Sequence, residues 1–352
     1  MSIIEDSLFN RKLDSVVLSR RDFLKFSSLG LLGLFIHPAK ITWSLFEDQI
    51  GRVAETKAIL YDRPSLNGNH EKIYWRDMVI PISEVTVGDQ EPKHNRIWYR
   101  VGQEGFVHSG SIQPVRTQLN TVENDIPFGG MLVEVTVPYT DVYWGPGKNH
   151  QFAYRFYYET THWATAVLQD NQGDPWYKIL EDKWDLTFYA PANHLRVIPQ
   201  EELTPLSPDV PAKDKRLEVR LREQLAIAFE ENKPVFMARV ASGAEFSNGR
   251  FLTPVGEHKT FHKRPSRHMA AGDLASNGYD LPGVPWICYI NERGVAFHGT
   301  YWHNDYGRPR SHGCINLTPT AAKWIYRWTQ PSVPPGETSV YENYGTRVDV
   351  VE

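Results

Sequence analysis

The stretch RPRSHGCINL, residues 308–317, contains one of only two cysteines in this 352-residue sequence. Cys314 stands between a glycine and an isoleucine, and His312 lies two positions before it. A structural thiol is typically found in an apolar run, whereas the neighbours here are mostly glycine, histidine, arginine and asparagine. The pattern therefore favours a chemically active cysteine over a buried filler at position 314.

The residues alone leave two other roles for Cys314 open, a disulfide partner and a zinc ligand. An exported protein with two cysteines often pairs them, and Cys288, in the apolar stretch PWICYI, is the available partner. His298, His303 and His312 would add enough donors for a zinc ion, but their spacing resembles no usual closed zinc site. We expect Cys288 to be a buried thiol and Cys314 to be a nucleophile that needs no metal or cofactor.

A nucleophilic cysteine needs a base, because a free thiol with a pKa of about 8.5 is mostly protonated at neutral pH. His312 is nearest in sequence, but a neighbour two positions away on a tight turn usually points elsewhere. His298, at the end of the predicted strand RGVAFHG, is therefore the better candidate, ahead of His303 in its polar loop. Gly313 would let the backbone approach a carbonyl closely, and the N–H groups of its turn would face an oxyanion.

A helix is predicted directly after the cysteine, over Thr318–Thr329, with Thr318 as the N-cap and proline at the first helical position. The positive end of this helix would favour a thiolate beside it. The rest of the unit is expected to be β-rich. The segment 225–242 predicts a hairpin with its turn at residues 231–234, although a helix over Leu217–Phe229 also fits the 3.6-residue period. The tail GTRVDVVE alternates like a closing strand.

Two copies of one β-rich plan precede this unit. Residues 46–118 contain WYRV at 98–101, and residues 119–199 contain WYKI at 176–179. In both, a turn and a short closing strand follow. This degenerate duplication predicts two small β-barrel modules that resemble bacterial SH3-like domains. The Pro-rich and charged segment 200–216 is predicted to be a linker, and residues 217–352 to be the last domain.

The first 45 residues are predicted to be an export signal. The stretch SRRDFLK, residues 19–25, resembles the twin-arginine signal of bacteria, and the apolar run Leu29–Ile36 that follows is shorter than a membrane-spanning helix needs. A basic amphipathic surface helix is the alternative. No clear cleavage site follows, so an uncleaved signal that anchors the protein on the outer face of the membrane stays open. We expect export to the periplasm or cell wall by the twin-arginine machinery.

The composition is that of a folded globular protein, at 41% hydrophobic and 23% charged residues. The net charge of -4 provides no basic field, which argues against a nucleic-acid partner. Aromatic residues make up 12% of the chain, and rings of this kind suit β-structure.

A family resemblance rests on several of these stretches together. His298-Gly299-Thr300, followed after a spacer by SHGCIN at 311–316, resembles the signature of L,D-transpeptidase catalytic domains of the YkuD type. Upstream, Ala241-Ser242-Gly243 and FLTPVG at 251–256 resemble the family's S-x-G and T-P-x-G stretches. The resemblance covers roughly residues 217–350. It implies a β-sandwich-like catalytic domain, so that the whole chain would be mainly β.

The resemblance also implies a reaction and its partners. Cys314 would attack the bond between a diamino acid and the terminal D-Ala of a peptidoglycan tetrapeptide, and D-Ala would leave. The side-chain amine of a neighbouring stem peptide would resolve the thioester and form a 3→3 cross-link. Water would instead give L,D-carboxypeptidase trimming. A wall-binding protein without activity is a further alternative. The resemblance also makes Cys314 a target for carbapenems.

The same resemblance assigns roles to individual residues. His298 would be the general base and acid, with the backbone carbonyl of Gly299 orienting its ring. His312 and Gly313 would shape the oxyanion site. The residues expected to contact substrate are Arg308, Arg310, Asn316, Thr300 and Tyr301.

Overall fold

The computed structural model describes residues 49–247, 249–272 and 278–352. The export signal predicted for residues 1–45 lies outside the described residues. Within the described ranges the chain is mainly β, as predicted, with 27 strands and one α-helix. No helix in these ranges is long and apolar enough to cross a membrane.

The first module consists of eight strands in two sheets, with strand orders β4-β1-β8 and β3-β2-β7-β6-β5. Alternating apolar side chains point inward from both sheets, and Val53 and Val107 in this interior are completely buried. The strands are β1 (Ile50–Val53), β2 (Lys57–Tyr61), β3 (His70–Trp75), β4 (Val79–Pro81), β5 (Glu84–Val87), β6 (Ile97–Val101), β7 (Gly105–His108) and β8 (Ile112–Val115).

The second module is one seven-stranded sheet with the order β11-β10-β14-β13-β12-β9-β15. Its core is centred on Tyr177 and Phe188, both fully buried. The strands are β9 (Met131–Val135), β10 (Tyr139–Tyr143), β11 (Phe152–Tyr157), β12 (Thr161–Gln169), β13 (Pro175–Glu181), β14 (Leu186–Pro191) and β15 (Leu195–Val197).

The two modules share one pairing scheme. In each, the first strand pairs antiparallel with the last, as β1 with β8 and β9 with β15. WYRV lies on β6 and WYKI on β13, and these two strands pair with the equivalent neighbours β7 and β14. This equivalence supports the duplication inferred from the two motifs. The SH3-like assignment and the domain boundaries stay predictions.

The last unit contains two five-stranded sheets with orders β18-β17-β16-β27-β21 and β25-β24-β23-β22-β26, and a small hairpin β19-β20. Its elements are β16 (Lys215–Arg220), β17 (Leu225–Glu230), β18 (Lys233–Arg239), β19 (Glu245–Phe246), β20 (Gly249–Arg250), β21 (Gly256–Lys259), β22 (His262–Ala271), β23 (Tyr279–Tyr289), β24 (Ala296–Gly299), β25 (Ile315–Leu317), α1 (Pro319–Trp328), β26 (Val340–Tyr341) and β27 (Arg347–Val351).

One apolar core lies between these two sheets. Leu217 and Val348 of the first sheet belong to the same buried cluster as Phe297 and Ile315 of the second. The hairpin predicted for residues 225–242 is confirmed as β17 and β18, and the alternative helix over Leu217–Phe229 is wrong. The predicted closing strand is confirmed as β27, which pairs in parallel with β16.

Helix α1 begins where the sequence predicts. Thr318 caps it, since its Oγ1 accepts a hydrogen bond from the backbone N–H of Ala321 at 3.2 Å. At the other end, two buried lysines donate to the terminal carbonyls. The Nζ of Lys215 donates to Trp328 O at 3.1 Å, and that of Lys263 donates to Thr329 O at 2.7 Å. Positive charge at this end complements the helix dipole.

The segment predicted to be a linker packs on the last unit. Leu203 and Leu206 contact its apolar core, and the side chain of Arg327 donates to Thr204 O at 2.8 Å. Strand β16 begins at Lys215, inside the predicted range 200–216. Residues 200–216 therefore form a strap along the last unit.

A buried cation joins both N-terminal modules to the last unit. Arg52 is 1% exposed, and its guanidinium donates to Gln113 Oε1 at 2.7 Å and to the backbone carbonyl of Tyr301. Asp77 accepts from Arg52 at 3.0 Å and from Arg155 of the second module at 2.9 Å. A charge held this deeply is stable only while its partners stay in place.

We predict that Asp77→Asn destabilises the protein by about 3 kcal/mol, because Arg52 then stays buried without a counter-charge. Asparagine tolerates the φ of +69° at this position, so the backbone is unchanged. The measurement is the free energy of unfolding in urea. The matched control is Glu104→Gln, which weakens a surface pair with Lys72 at 2.9 Å and should cost less than about 1 kcal/mol. Equal losses for the two variants would contradict this account.

Candidate active site

Parallel pairing of β24 with β25 brings the predicted base and nucleophile to one face of the sheet. In this pair His298 lies beside Asn316. Side chains alternate along a strand, so Cys314, two residues before Asn316, faces the same way. Phe297 and Ile315 face the opposite side and are fully buried in the core. The apolar residues thus fix the register, and the register places the reactive ones together.

His298 and Cys314 line the same cavity, which has a volume of about 550 Å³. Of the other predicted site residues, four also line it: Tyr301, Arg310, His312 and Asn316.

The His298 ring is held in one orientation. Its Nδ1 lies 3.0 Å from the backbone carbonyl of Gly299, so the proton is assigned to Nδ1 and the lone pair to Nε2. Burial lowers the pKa of His298 to about 4, although the Gly299 carbonyl opposes this shift. The imidazole is therefore neutral at pH 7 and able to accept a proton. Gly299 has the position that the family resemblance implies for it.

The Cys314 thiol is protonated in the resting site. Burial raises its pKa to about 11, against an opposing hydrogen bond from the N–H of Ala296. Its Sγ is 3.6 Å from the carbonyl of Gly294, an acceptor that favours the protonated form. The expected stabilisation of a thiolate by the start of α1 is thus outweighed by desolvation. A base has to remove the proton as the thiol attacks.

Gly313 shapes the turn before the cysteine. Its φ of +112° lies in the region that favours glycine. Its N–H donates to Ser311 Oγ at 3.1 Å, and its carbonyl accepts from Thr253 Oγ1 at 2.8 Å. The predicted oxyanion role of Gly313 is therefore limited to conformation, because its own N–H already has an acceptor.

Thr253 is a positioning residue that the sequence did not single out by role. Its hydroxyl joins Gly313 to the N–H of Gly243, which it accepts at 2.8 Å. A Cβ at Gly243 would lie 2.2 Å from Phe251 O, so only glycine fits this approach. The motifs at 241–243 and 251–256 thus meet behind the Cys314 turn. The two motifs could be recognised in the sequence, but that they contact each other is visible only in the tertiary structure.

The His312 ring belongs to an aromatic cluster that lines the cavity, and its part in the oxyanion site stays a prediction. The ring is exposed and stacks on Phe246, with centroids 4.8 Å apart and planes at 16°. Phe251 and Tyr279 also contact it at 4.7 and 5.7 Å. Partial burial lowers the pKa of His312. The ring forms part of an aromatic rim on the cavity.

His303 and Asn316 form a buried pair next to this face. The Nδ1 of His303 accepts from the N–H of Asp305 at 3.2 Å, so its proton lies on Nε2. That atom is 3.1 Å from the Asn316 amide, whose Oδ1 otherwise has no hydrogen-bond partner among the described residues. Rotating the amide lets Oδ1 accept from Nε2. Asn316 then orders the loop, and His303 is neutral because burial lowers its pKa to about 3.

Arg308 and Arg310 are both paired with acids of the protein. The Nε of Arg308 is 2.6 Å from Asp305 Oδ2, and Arg310 Nη1 is 3.1 Å from the same oxygen and 2.6 Å from Glu55 Oε1. Burial would raise the pKa of Asp305, but Arg308, His94 and Arg310 together lower it to about 2. Arg310 thus ties the loop to the first module, whereas Arg308 pairs within the loop, and of the two only Arg310 lines the cavity.

Tyr301 and Thr300 differ in their access to the cavity. Tyr301 lines it, is 2% exposed, and donates from its OH to Pro282 O at 3.0 Å. Thr300 is equally buried and lies outside the lining. A substrate contact is therefore geometrically open to Tyr301 and closed to Thr300 in this conformation.

Both cysteines are free thiols. Cys288 is completely buried in the core with Phe297, on the opposite face of the sheet from Cys314, so the two are not positioned to pair. Within residues 49–247, 249–272 and 278–352, no group of three or more His, Cys, Asp or Glu side chains is placed to hold a metal ion.

We predict that alkylation of Cys314 by iodoacetamide becomes about tenfold faster per pH unit from pH 7 to 10, because only the thiolate reacts and its pKa is about 11. Intact-mass analysis measures the rate, and the Cys314→Ala variant reports any reaction at buried Cys288. A rate that levels off near neutral pH would show instead a preformed ion pair with His298.

Comparison with known proteins agrees with this arrangement. Residues 214–350 match the YkuD family, described as the L,D-transpeptidase catalytic domain. The protein YciB of Bacillus subtilis (strain 168), named an L,D-transpeptidase, is 29% identical over 130 residues, which are 34% of this chain and 63% of that protein. The chain thus matches less than two thirds of the length of this relative.

Solved structures similar to this chain include the Ldtfm–avibactam carbamoyl enzyme, with 25% identity, 40% of this chain and 49% of that chain covered, and a TM-score of 0.31. An L,D-transpeptidase from Mycobacterium smegmatis has 18% identity, with 52% and 80% covered and a TM-score of 0.32. The family match spans the sandwich that carries His298 and Cys314. Residues 214–350 therefore form an L,D-transpeptidase catalytic domain of the YkuD family.

Proposed function

We propose that this protein is an exported peptidoglycan L,D-transpeptidase that works through a thioester on Cys314. The observation that carries the proposal is the shared cavity of His298 and Cys314, with the His298 ring tied to Gly299 so that its Nε2 is free of that bond. A neutral imidazole and a protonated thiol suit a reaction in which the proton moves during attack.

In the first half-reaction, Cys314 Sγ attacks the carbonyl that joins the diamino acid to the terminal D-Ala of a tetrapeptide. His298 Nε2 takes the thiol proton and then gives it to the leaving nitrogen, so that the C–N bond breaks and D-Ala leaves as a neutral amine. The backbone of the turn at Gly313 presents the neighbouring N–H of Cys314 to the oxyanion. A thioester and a neutral His298 result.

In the second half-reaction, the side-chain amine of another stem peptide attacks the thioester. His298 removes a proton from this amine and returns it to the departing sulfur, and a 3→3 cross-link forms. Water in place of the amine would yield a trimmed tripeptide, the carboxypeptidase alternative. The energy comes from the donor peptide bond, so the reaction needs no nucleotide.

The location of the substrate agrees with the proposed export of the protein from the cytoplasm. Peptidoglycan lies outside the cytoplasm, and the twin-arginine signal predicted for residues 1–45 would deliver the enzyme there already folded. The SH3-like modules would then hold wall glycans or peptides. Their direct packing on the catalytic domain, through contacts such as Thr161 Oγ1 to Pro265 O at 2.7 Å, favours this role over that of a detached spacer.

We predict that the purified protein converts disaccharide tetrapeptides into a dimer with loss of D-Ala, as followed by mass spectrometry. Cys314→Ala should abolish turnover, whereas Cys288→Ala should stay close to wild type because Cys288 is confined to the core. His298→Ala should slow the reaction by about 100-fold to 10,000-fold, the usual contribution of a general base.

The products of this experiment distinguish the alternatives. Tripeptide without dimer would establish the hydrolytic alternative. No turnover, together with equal wall binding by wild type and Cys314→Ala, would establish a binding protein and overturn both enzymatic assignments.

We also predict that a carbapenem adds covalently to Cys314 and not to Cys288. The thiol at 314 faces the cavity, whereas the one at 288 is completely buried. Intact-mass analysis should show one adduct on the wild type and on Cys288→Ala, and none on Cys314→Ala. An adduct that persists in Cys314→Ala would contradict the assignment of the nucleophile.

A further inference from the structure

The cavity that contains Cys314 is not built by the catalytic domain alone. Arg52, Ala54 and Arg76 of the first module form part of its wall. Tyr154, Arg155 and Tyr157 of the second module form another part. A substrate held at Cys314 therefore lies within reach of residues 157 to 262 positions away in sequence.

Most of the positive charge around the cavity is neutralised by the protein itself. Arg52 and Arg155 share Asp77, at 3.0 and 2.9 Å, and Arg155 also pairs with Asp141 at 2.6 Å. Arg310 is paired with Glu55 and Asp305. The two histidines of the wall, His298 and His312, have lowered pKa values. None of these groups offers an unshared positive charge to a ligand at neutral pH.

Arg76 is the exception among the described residues. Its side chain is exposed and contributes to the cavity wall, but no carboxylate of the described part of the chain lies within ion-pair distance of it. The guanidinium is thus available to an anion that enters the cavity. Arginine binds carboxylates through two parallel hydrogen bonds, which gives direction as well as charge.

The backbone at Arg76 is fixed although the side chain is exposed. Its N–H donates to Thr56 O at 3.0 Å, and the N–H of Asp77 donates to Val53 O at 2.9 Å. The Asp77 carboxylate is held by Arg52 and Arg155. The turn between β3 and β4 is therefore locked at both residues, so the guanidinium is attached to a rigid point of the wall.

The neighbouring surface suits the rest of a peptide. Tyr157 and Tyr301 stack with centroids 5.2 Å apart and planes at 25°, and both line the cavity. The two rings come from different domains; Tyr301 is 2% exposed, and the guanidinium of Arg52 lies 4.2 Å from the centre of the Tyr157 ring. An arginine without an ion-pair partner among the described residues, on the same cavity wall as these rings, is a site for an extended chain that carries a carboxylate.

We propose that Arg76, a residue of the first N-terminal module, binds a free carboxylate of the stem peptide and so selects acidic stems over amidated ones. This inference rests on the proposed function and assigns to the module a direct part in substrate binding. Arg76 acts on binding and not on the chemical step, because it takes no part in bond making at Cys314. Its loss should therefore raise KM and leave kcat almost unchanged.

The test compares Arg76→Gln, Arg76→Lys and wild type with two disaccharide tetrapeptides, one with free carboxylates and one in which the side-chain and internal carboxylates are amidated. We expect Arg76→Gln to raise KM for the acidic peptide about tenfold or more, the usual loss for one charge-assisted contact. Arg76→Lys should show a smaller rise in KM for the acidic peptide, because it keeps the positive charge. With the amidated peptide the three proteins should be alike.

Binding measured by calorimetry on the Cys314→Ala protein gives a second readout that needs no turnover. Adding Arg76→Gln to that protein should weaken binding of the acidic peptide by the same factor. The matched control is Arg63→Gln, an exposed arginine of the same module that lies outside the cavity lining and should change neither measurement. Unfolding midpoints in urea should be equal for all variants, since Arg76 is exposed.

The outcomes separate this inference from the function on which it rests. Suppose that the wild type turns over the acidic peptide. If Arg76→Gln then has the same KM as the wild type, or a KM that rises equally for both peptides, the inference is overturned and the proposed function stands. If the wild type neither turns over nor binds either peptide, the proposed function fails, and the inference fails with it.

Discussion

The parallel pairing of β24 with β25 is the constraint on which the site depends. Phe297, Ile315 and Leu317 are completely buried on one side of these strands, and a shift by one residue would exchange them with polar side chains. The cost of exposing three such residues is several kcal/mol. Burial on one face therefore fixes His298 and Cys314 on the other, without any direct bond between them being required.

The loop that connects these two strands is held from outside the catalytic domain. Arg52 donates to the carbonyl of Tyr301, and His94 Nε2 lies 2.9 Å from Asp305 Oδ1. The N–H of Asn304 donates to Gly110 O at 2.9 Å. The first module thus constrains residues 300–311 and, through them, the approach to Cys314. In this protein the accessory modules are structural parts of the active site.

Desolvation dominates the electrostatics of the site. It keeps His298 neutral and Cys314 protonated, and it outweighs both the Gly299 carbonyl and the Ala296 N–H. Buried charges survive only where they are compensated, as Asp305 is by Arg308, His94 and Arg310. The same principle explains why the more buried Arg52, Arg155 and Arg310 pair with acidic side chains of the protein, while the exposed Arg76 has no such partner in the part of the chain that the structure describes.

Much of the catalytic domain was predictable because its signals are local. The cap at Thr318, the hairpin at 225–239 and the alternating tail each depend on neighbouring residues. As the candidate general base, His298 could be preferred over His312 from its spacing to Cys314 alone. The partners that Arg310 and Asp305 find outside their loop could not be predicted, because Glu55 and His94 belong to another module. The occupied N–H of Gly313 was likewise hidden, since it depends on the hydroxyl of Ser311 folding back within a tight turn.

The sequence by itself determined which side chains are chemically able to react, the hairpin, helix and closing strand of the last domain, and the family that this domain resembles, because motifs and periodicity are properties of neighbouring residues. Only the tertiary structure decided which charges are already neutralised, which residues wall the cavity and which protonation states are favoured. Those properties depend on burial and on contacts between segments far apart in the chain. A sequence motif contains no information on burial or on contacts between distant segments.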